Sequence, residues 1–481
     1  MKSEDRNIIV ICLDSVRKDS FDQYAPRMNK LSDVHFEETR SASSWSVPSH
    51  ASMITGLLPH EHGVHTYNQD FTDIKSSETL FSDLTDYRKM GVSANLYASD
   101  MFGFDKFFDS LKHVRKDKIF QGLDPQEFYS DRYTGKSGFK AYIEYLKESL
   151  TDDNKLGSIF NGLSYKFKFL FDDLPLENPL GTGCKKVLDR AKQQIKNTNK
   201  PYFQFINLMD AHPPIAPHLE LDGSLYEAPS NWSSNKYSFY DINTPEDVKM
   251  NKAYIQQYRS LYSAMIDNLD RKVTQYVNMV DSISSQKSSI IITADHGLNL
   301  AYPSDRHQIG KKGSMSEGLL HVPMVLINPP PGYSEFEREY FSHLQLPNLI
   351  EGFAQNKAPD VFNKQIAAER IGSQGVNNLD PAESQYWGRM IRCVYEGDKK
   401  FQWDSMKNYS KFSLPSTDCC SQQEGREYTD ELEARIRPIE SKMFEEDIIS
   451  YNNRMNEMSH PEYSDLDDAS VRRLKNLGYL D

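Results

Sequence analysis

The chain has 481 residues, 38% of them hydrophobic, enough for one large α/β core with additions or for two domains. With 56 basic and 69 acidic residues its net charge is −13, which disfavours nucleic acid as a main partner, because phosphate neutralisation needs a basic surface. An anionic small-molecule or saccharide substrate remains compatible, since a locally positive site overrides the global balance. No apolar run approaches the ~20 residues of a membrane span, and the start, Met1-Lys-Ser-Glu-Asp, carries no apolar leader. The expectation is a cytoplasmic protein without a transmembrane segment. Cys12, Cys184, Cys393, Cys419 and Cys420 lack Cys-x-x-Cys spacing and read as reduced thiols.

Asn7 to Leu13 is an unbroken apolar run, as expected of a parallel strand buried on both faces. It delivers Asp14 at its C-terminal end, where open α/β sheets bind ligands. Ser46 precedes Pro48 and a predicted helix from Ser49 to Ile54, which Gly56 stops. A hydroxyl there faces the positive helix end, where anions are favoured, and can be held partly ionised when a metal also binds it. Taken alone, Ser46 reads first as a helix cap, and the rest of the chain reverses that. A second strand is expected near Val92 to Tyr97. Residues 109–182 read as irregular and as the substrate-specificity insertion. Their stripe from Tyr165 to Phe171 reads as an amphipathic cover for the core, with a membrane or sugar contact as the alternative.

Tyr202 to Met209 is a third strand, followed by Asp210 and His212. Ile255, Tyr258, Tyr262, Met265, Leu269, Val273, Tyr276 and Val280 recur at three- or four-residue spacing and predict a helix from Asn251 to about Ser282. It leads into an apolar strand from Ser288 that ends in Asp295-His296-Gly297. Acids and a histidine at the ends of neighbouring strands, roughly 5 Å apart, can converge on one metal. Prolines 329–331 mark a break. Residues 1–384 read as the catalytic domain and 385–440, with the β-like run Met390 to Tyr395, as a smaller C-terminal α+β unit. Residues 441–481 read as a charged tail, helical near Ala469 to Leu477.

These segments together resemble the sulfatase branch of the alkaline phosphatase superfamily. Asp14 with Arg17 resembles the family's first metal-binding strand. Ser46-Val-Pro-Ser-His50 stands where the family carries Cys- or Ser-x-Pro-x-Arg, followed by the matching Thr55-Gly56 and His62-Gly63. His212-Pro213 resembles the substrate-binding histidine, and Asp295-His296-Gly297 the second metal-binding strand. Lys312 to Glu317, then His321 to Val325, resembles the segment that supplies a substrate-binding lysine. Arg472 to Leu480 resembles a common family ending.

The resemblance implies an α/β fold with an alkaline-phosphatase-like, mostly parallel central sheet flanked by helices. It implies a metal-dependent hydrolase of anionic esters, foremost a sulfuric ester hydrolase on a sulfated sugar or small organic sulfate. Asp14, Asp295, His296 and Ser46 would hold one divalent metal, calcium first, with manganese or zinc as alternatives. Ser46, His212 and Lys312 would be catalytic. Lys312, His212, His50 and Arg17 would bind substrate, with Lys311 as the competing lysine. Asp210, His212 and His307 are the set a second metal would need.

The departures are informative. His50 replaces the arginine expected by the machinery that converts the nucleophile to formylglycine. It matches instead the Thr-x-Pro-Asn-His pattern of hydroxyl-nucleophile relatives such as nucleotide pyrophosphatases and phosphodiesterases. Ser15 stands where many sulfatases carry a second Asp. Gly91 to Asp105 lacks the lysine and histidine of the family's Gly-Lys-Trp-His segment. Formylglycine at Ser46 is therefore left open. The alternatives are phosphomonoester or phosphodiester hydrolysis, or phosphotransfer, by unmodified Ser46, and, third, a non-catalytic pseudoenzyme. His62 and His65 read as plain surface histidines.

Overall fold

The computed structural model describes residues 6–457 apart from 115–122, 124, 126–127, 129–138, 173–182, 197, 199, 284–285, 377–378, 416–419 and 426–428. The helix expected near Ala469 to Leu477, the Arg472 to Leu480 ending and the side chains of the Tyr165 to Phe171 stripe lie outside what is described.

Among the described residues ten strands precede residue 343: β1 Asn7–Leu13, β2 Val34–Arg40, β3 Arg88–Ser93, β4 Ser110–His113, β5 Tyr202–Leu208, β6 Ser288–Thr293, β7 Asn299–Leu300, β8 Ile309–Gly310, β9 Met324–Ile327 and β10 Phe336–Ser342. Eight of them form one sheet in the order β10-β2-β9-β6-β1-β5-β3-β4. Only β9 runs antiparallel to its neighbours, β2 and β6. This is the mostly parallel, helix-flanked sheet that the resemblance implied.

Every residue of β1 is buried, so the strand is covered on both faces and reads as continuous apolar sequence. Its register places the chemistry. Cys12 pairs with Asn207 of β5 and with Thr293 of β6. Two residues on, Asp14 and Asp295 leave the sheet side by side. Asn207 also pairs with Ser93 of β3, which brings Asn95 out in the same row. The expected strand at 92–97 therefore sits earlier, at 88–93, and its tail is a site loop.

The long helix runs Lys252–Ile283, one residue from its expected bounds, and buries Tyr258, Tyr262, Met265, Leu269, Val273 and Val280. It packs with the helix Cys184–Lys196 and with Lys18–Tyr24 and Pro26–Leu31. The helix behind Ser46 runs Ser46–Thr55, three residues longer at its start than expected. Trp45 is its extended N-cap residue and Gly56, at φ 74°, its left-handed stop. Pro48 then falls in the first turn, whose N–H groups have no intrahelical acceptor, so the ring is tolerated there. Within 109–182, where irregular chain was expected, Phe139–Ser149 and Lys155–Asp172 are helices. Tyr145 Oη donates to the Ser158 carbonyl at 2.7 Å and joins the pair.

A second, antiparallel sheet runs β11 Gln365–Arg370, β12 Ile391–Glu396, β13 Lys399–Asp404, β14 Tyr409–Ser413 and β15 Gln423–Glu424. It takes in β11, ahead of the start expected at 385. Helices Thr429–Met443 and Ile448–Glu457 cover it, packing Ile436, Ile448 and Tyr451 against Val394, Phe401 and Trp403. No helix among the described residues is long and apolar enough to cross a membrane.

Glu317 joins the two sheets. Its carboxylate accepts from Arg40 Nε at 2.9 Å, Lys400 Nζ at 3.0 Å and Tyr395 Oη at 2.7 Å. Burial opposes its ionisation, but the Lys400 and Arg40 cations overcome this and hold the carboxyl down at about 2. Glu317→Gln would leave the buried Lys400 without its carboxylate and Arg40 with only the half-exposed Glu38, and is expected to destabilise the fold by about 3–5 kcal/mol in denaturant unfolding. Because the folded pKa is depressed, this contribution is complete above the ordinary glutamate range. It is lost as pH falls towards about 2. An unchanged unfolding midpoint in the variant would refute the role.

Candidate active site

Ser46, at the first position of its helix, places Oγ 3.1 Å from His296 Nε2 and 3.4 Å from Asp14 Oδ2. All three side chains are fully buried. His296 Nδ1 donates to the Gly297 carbonyl at 2.6 Å, which fixes the tautomer and turns the Nε2 lone pair towards Ser46 and Asp14. Burial, with Lys311 adding to it, pushes the imidazole pKa down to about 3. His296 is therefore neutral at physiological pH, the state a metal ligand requires.

Asp14 Oδ2 accepts from Asn95 Nδ2 at 2.8 Å, and Oδ1 from Ser15 Oγ at 2.9 Å. Asp295 Oδ1 accepts from the backbone N–H of Ser15 at 3.3 Å and of His296 at 2.9 Å. Ser15 adopts φ 65°, a left-handed turn that aims its N–H at Asp295. Ser15 thus ties both carboxylates in place, although it cannot replace a second Asp as a ligand of equal charge.

Asp295 Oδ2 is buried without a hydrogen-bond partner. The nearest nitrogens, His50 Nε2 and His296 Nε2, both stand 3.6 Å away. An unpaired buried carboxylate oxygen is costly unless a cation meets it. Asp14, Asp295 and His296 each offer an atom within 4.8 Å of the others. A divalent cation fits these residues.

His212 and Lys311 form the facing pair. Lys311 Nζ lies 2.7 Å from His212 Nε2, while His212 Nδ1 donates to the Pro213 carbonyl. Burial pushes the Lys311 pKa down to about 8, Asp14 and Asp295 oppose that, and Arg370 adds to it. Lys311 is thus the lysine held in the field of the two acids. Lys312 is not brought there. Its ammonium turns to Asn243 and to the Ile242 carbonyl, over the rings of Tyr240 and Trp387.

Of two further expected substrate ligands, Arg17 is turned away from the acids and His50 stands beside Asp295. The Arg17 guanidinium is consumed by Asp19 at 2.7 Å, Asp305 at 2.9 Å and the Leu298 carbonyl at 2.9 Å. Arg17 therefore clamps the loop after β6. His50 is buried beside Asp295, 3.4 Å from Asn207 Nδ2 and 3.9 Å from Cys12 Sγ, against Phe104 and Phe205. Asp210 bears on the Cys184 thiol, and among the described residues no metal-holding group contains Asp210, His212 or His307. His65 is buried rather than on the surface, with Nε2 3.3 Å from Tyr451 Oη. His62 Nε2 stands 3.1 Å from Ser52 Oγ.

The model of the family described as Sulfatase matches residues 6–350. The chain belongs to the sulfatase family. That makes it a hydrolase of the anionic-ester class, in a family that generally uses a divalent metal. No curated protein matches the chain. Solved structures share the fold at low identity. One, determined in complex with its substrate D-glucosamine-2-N,6-O-disulfate, is 14% identical over 93% of this chain and 99% of that one, with a TM-score of 0.61. The phosphonate monoester hydrolase of Agrobacterium radiobacter is 13% identical over 91% and 94%, with a TM-score of 0.59. That of Silicibacter pomeroyi is 13% identical over 95% and 96%, with a TM-score of 0.56.

Proposed function

We propose that this sulfatase-family hydrolase cleaves sulfuric monoesters of a sugar or small organic alcohol, with Ser46 as the nucleophile. The observation that carries the reading is the contact of Ser46 Oγ with both Asp14 and neutral His296 at a helix start. A divalent cation held by Asp14, Asp295, His296 and Ser46 would supply Lewis-acid charge at the ester oxygens and lower the pKa of the Ser46 hydroxyl. The remaining parts belong to the chain itself. Helix N–H groups behind Ser46 favour the anionic group. Lys311 sets a fixed positive charge against its non-bridging oxygens. His212 Nε2 accepts from Lys311 Nζ at 2.7 Å and holds that ammonium in place. The substrate of the disulfated-glucosamine structure supports a sulfated sugar as the first candidate. The buried thiols of Cys12, Cys184 and Cys393 support a reducing, cytoplasmic setting.

A second reading, phosphoester hydrolysis or transfer by unmodified Ser46, is favoured by His50 in place of arginine. The deciding experiment is turnover of 4-nitrophenyl sulfate, a phosphate monoester and a phosphate diester with calcium, manganese and zinc in turn. The mass of the Ser46 peptide is measured on the same preparation. Sulfate turnover at unmodified mass establishes a sulfatase with the Ser46 hydroxyl as nucleophile, and sulfate turnover with a peptide two hydrogens light establishes a formylglycine sulfatase. Phosphoester turnover at unmodified mass establishes the second reading. Turnover of none of the three overturns both.

A pH profile checks the lysine. Burial brings the Lys311 pKa down to about 8 against the pull of Asp14 and Asp295, and a cation that neutralises those acids lowers it further, so kcat/KM is expected to fall with loss of the ammonium at or below that pH. In Lys311→Arg the alkaline limb should move up by more than one pH unit, because guanidinium stays charged. A limb that does not move would assign it to another group.

A further inference from the structure

We propose that Arg370, supplied by the second sheet, is a substrate-binding residue that holds a non-bridging oxygen of a terminal sulfuryl or phosphoryl group. The substrate class is then a monoester rather than a diester. This rests on the placement of the reacting group at Ser46 given above.

Arg370 is the last residue of β11 and is 3% exposed. Its guanidinium donates from Nε to the Gly372 carbonyl at 3.0 Å, from Nη1 to Ser44 Oγ at 2.8 Å and from Nη2 to Ser373 Oγ at 3.0 Å. All three acceptors are neutral, and no carboxylate pairs with it among the described residues. Arg6, 9% exposed, also meets only neutral acceptors among the described residues, but the three arginines buried as deeply as Arg370 behave differently. Arg17 is paired with Asp305, Arg40 with Glu317 and Arg392 with Glu369. A guanidinium buried without a counter-ion is unfavourable unless an anion arrives.

Its position says which anion. Glu369, the residue before it, is fixed on three sides. Its N–H donates to the Ala42 carbonyl at 2.9 Å, and its carboxylate accepts from Arg392 at 2.7 Å and from the His60 backbone at 2.8 Å. The end of β11 is thereby clamped against the segment that leads into the Ser46 helix. Ser44, which Arg370 touches, stands two residues before the nucleophile. Arg370 is also near enough to Lys311 to bear on its charge.

The charges then fit a terminal group. Asp14 and Asp295 balance a divalent cation, and Lys311 and Arg370 remain as two surplus positive charges. A transferring group with three non-bridging oxygens can use both. A diester would set an uncharged alkoxy substituent against a buried cation.

The test uses the full-length, metal-loaded enzyme and compares Arg370→Gln with wild type. The kcat/KM for 4-nitrophenyl sulfate or phosphate monoester is expected to fall about 10- to 100-fold, mostly through KM, as for a lost hydrogen bond to a charged group. Any phosphodiester turnover should fall much less, so the monoester-to-diester ratio drops. Inorganic sulfate and phosphate, titrated calorimetrically, should bind more weakly by the same factor, and whichever binds tighter to wild type identifies the natural group. Arg370→Lys should recover part of the loss, since it keeps the charge without the planar fork. If Arg370→Gln does not fold, Arg370→Lys carries the same comparison. Equal losses on both ester types with unchanged anion binding would make Arg370 a structural residue and overturn the proposal. If wild type turns over no ester, the site reading fails, whereas the anion titration still decides the role of Arg370.

Discussion

Asp295→Asn is expected to lose metal and turnover together while the protein stays folded. Asn keeps an oxygen that can accept from the Ser15 and His296 N–H groups, which Asp295 Oδ1 now serves. It removes the charge from the oxygen that has no partner, Oδ2. In the metal-free protein this relieves an unpaired buried carboxylate, so the melting temperature should equal or exceed that of wild type. Asp295→Ala removes the acceptor as well and strands two backbone donors, each worth roughly 1–3 kcal/mol if left unsatisfied. Both variants should carry less than about a hundredth of wild-type turnover, since the cation supplies charge stabilisation worth several kcal/mol. Metal per chain after dialysis, turnover and a thermal melt give the three readouts. Full metal content in Asp295→Asn, or wild-type turnover in either variant, would refute the site.

The legible part of the fold was the part buried on both faces. β1, β5 and β6 are apolar runs because the central strands of a parallel sheet meet helices on each side. The strand-end acids followed from them, and with them the candidate metal ligands Asp14, Asp295 and His296. β2 drew no expectation. It nears one edge of the sheet, and Val34-His-Phe-Glu-Glu-Thr-Arg40 carries half-exposed charges that hide its buried Phe36 and Thr39. β3 was displaced because Ala94 to Tyr97 is as buried as a strand. The chain leaves the sheet at Ser93, whose Oγ accepts from the Asn95 N–H at 3.0 Å and turns Asn95 towards Asp14.

What the sequence concealed at the site was contact between distant segments. Arg17 lies three residues after Asp14, which suggests a ligand, yet its partner Asp305 comes 288 residues later. Arg370 meets Ser44 across 326 residues and between two sheets, and no spacing announces that. Asn95 has one sequence signal, its position just past a strand end, which could have found it had the strand been placed correctly.

The two adjacent lysines make the sharpest separation of sequence likeness from geometry. The family spacing to Glu317 points to Lys312, and the structure sends Lys311 to His212 and the acids. Lys312 is surrounded by Asp241, Asp247 and Glu383, although burial, the larger effect, brings its pKa down to about 7. Lys311→Met is therefore expected to reduce kcat/KM about 100- to 1,000-fold, the usual cost of removing one donor aimed at developing charge. Lys312→Met keeps an unbranched side chain against Tyr240 and Trp387 and should stay within about 10-fold, because the ammonium it loses is committed to Asn243 rather than to the reacting group. Steady-state kinetics on the ester that wild type accepts would read both. The reverse order, with Lys312→Met the damaged enzyme, would mean that the segment shifts by one residue when substrate binds. Equal and severe losses would mean that the Lys312 contacts hold Lys311 in place. Only a large loss confined to Lys311→Met assigns the charge at the transferring group to the lysine that touches His212.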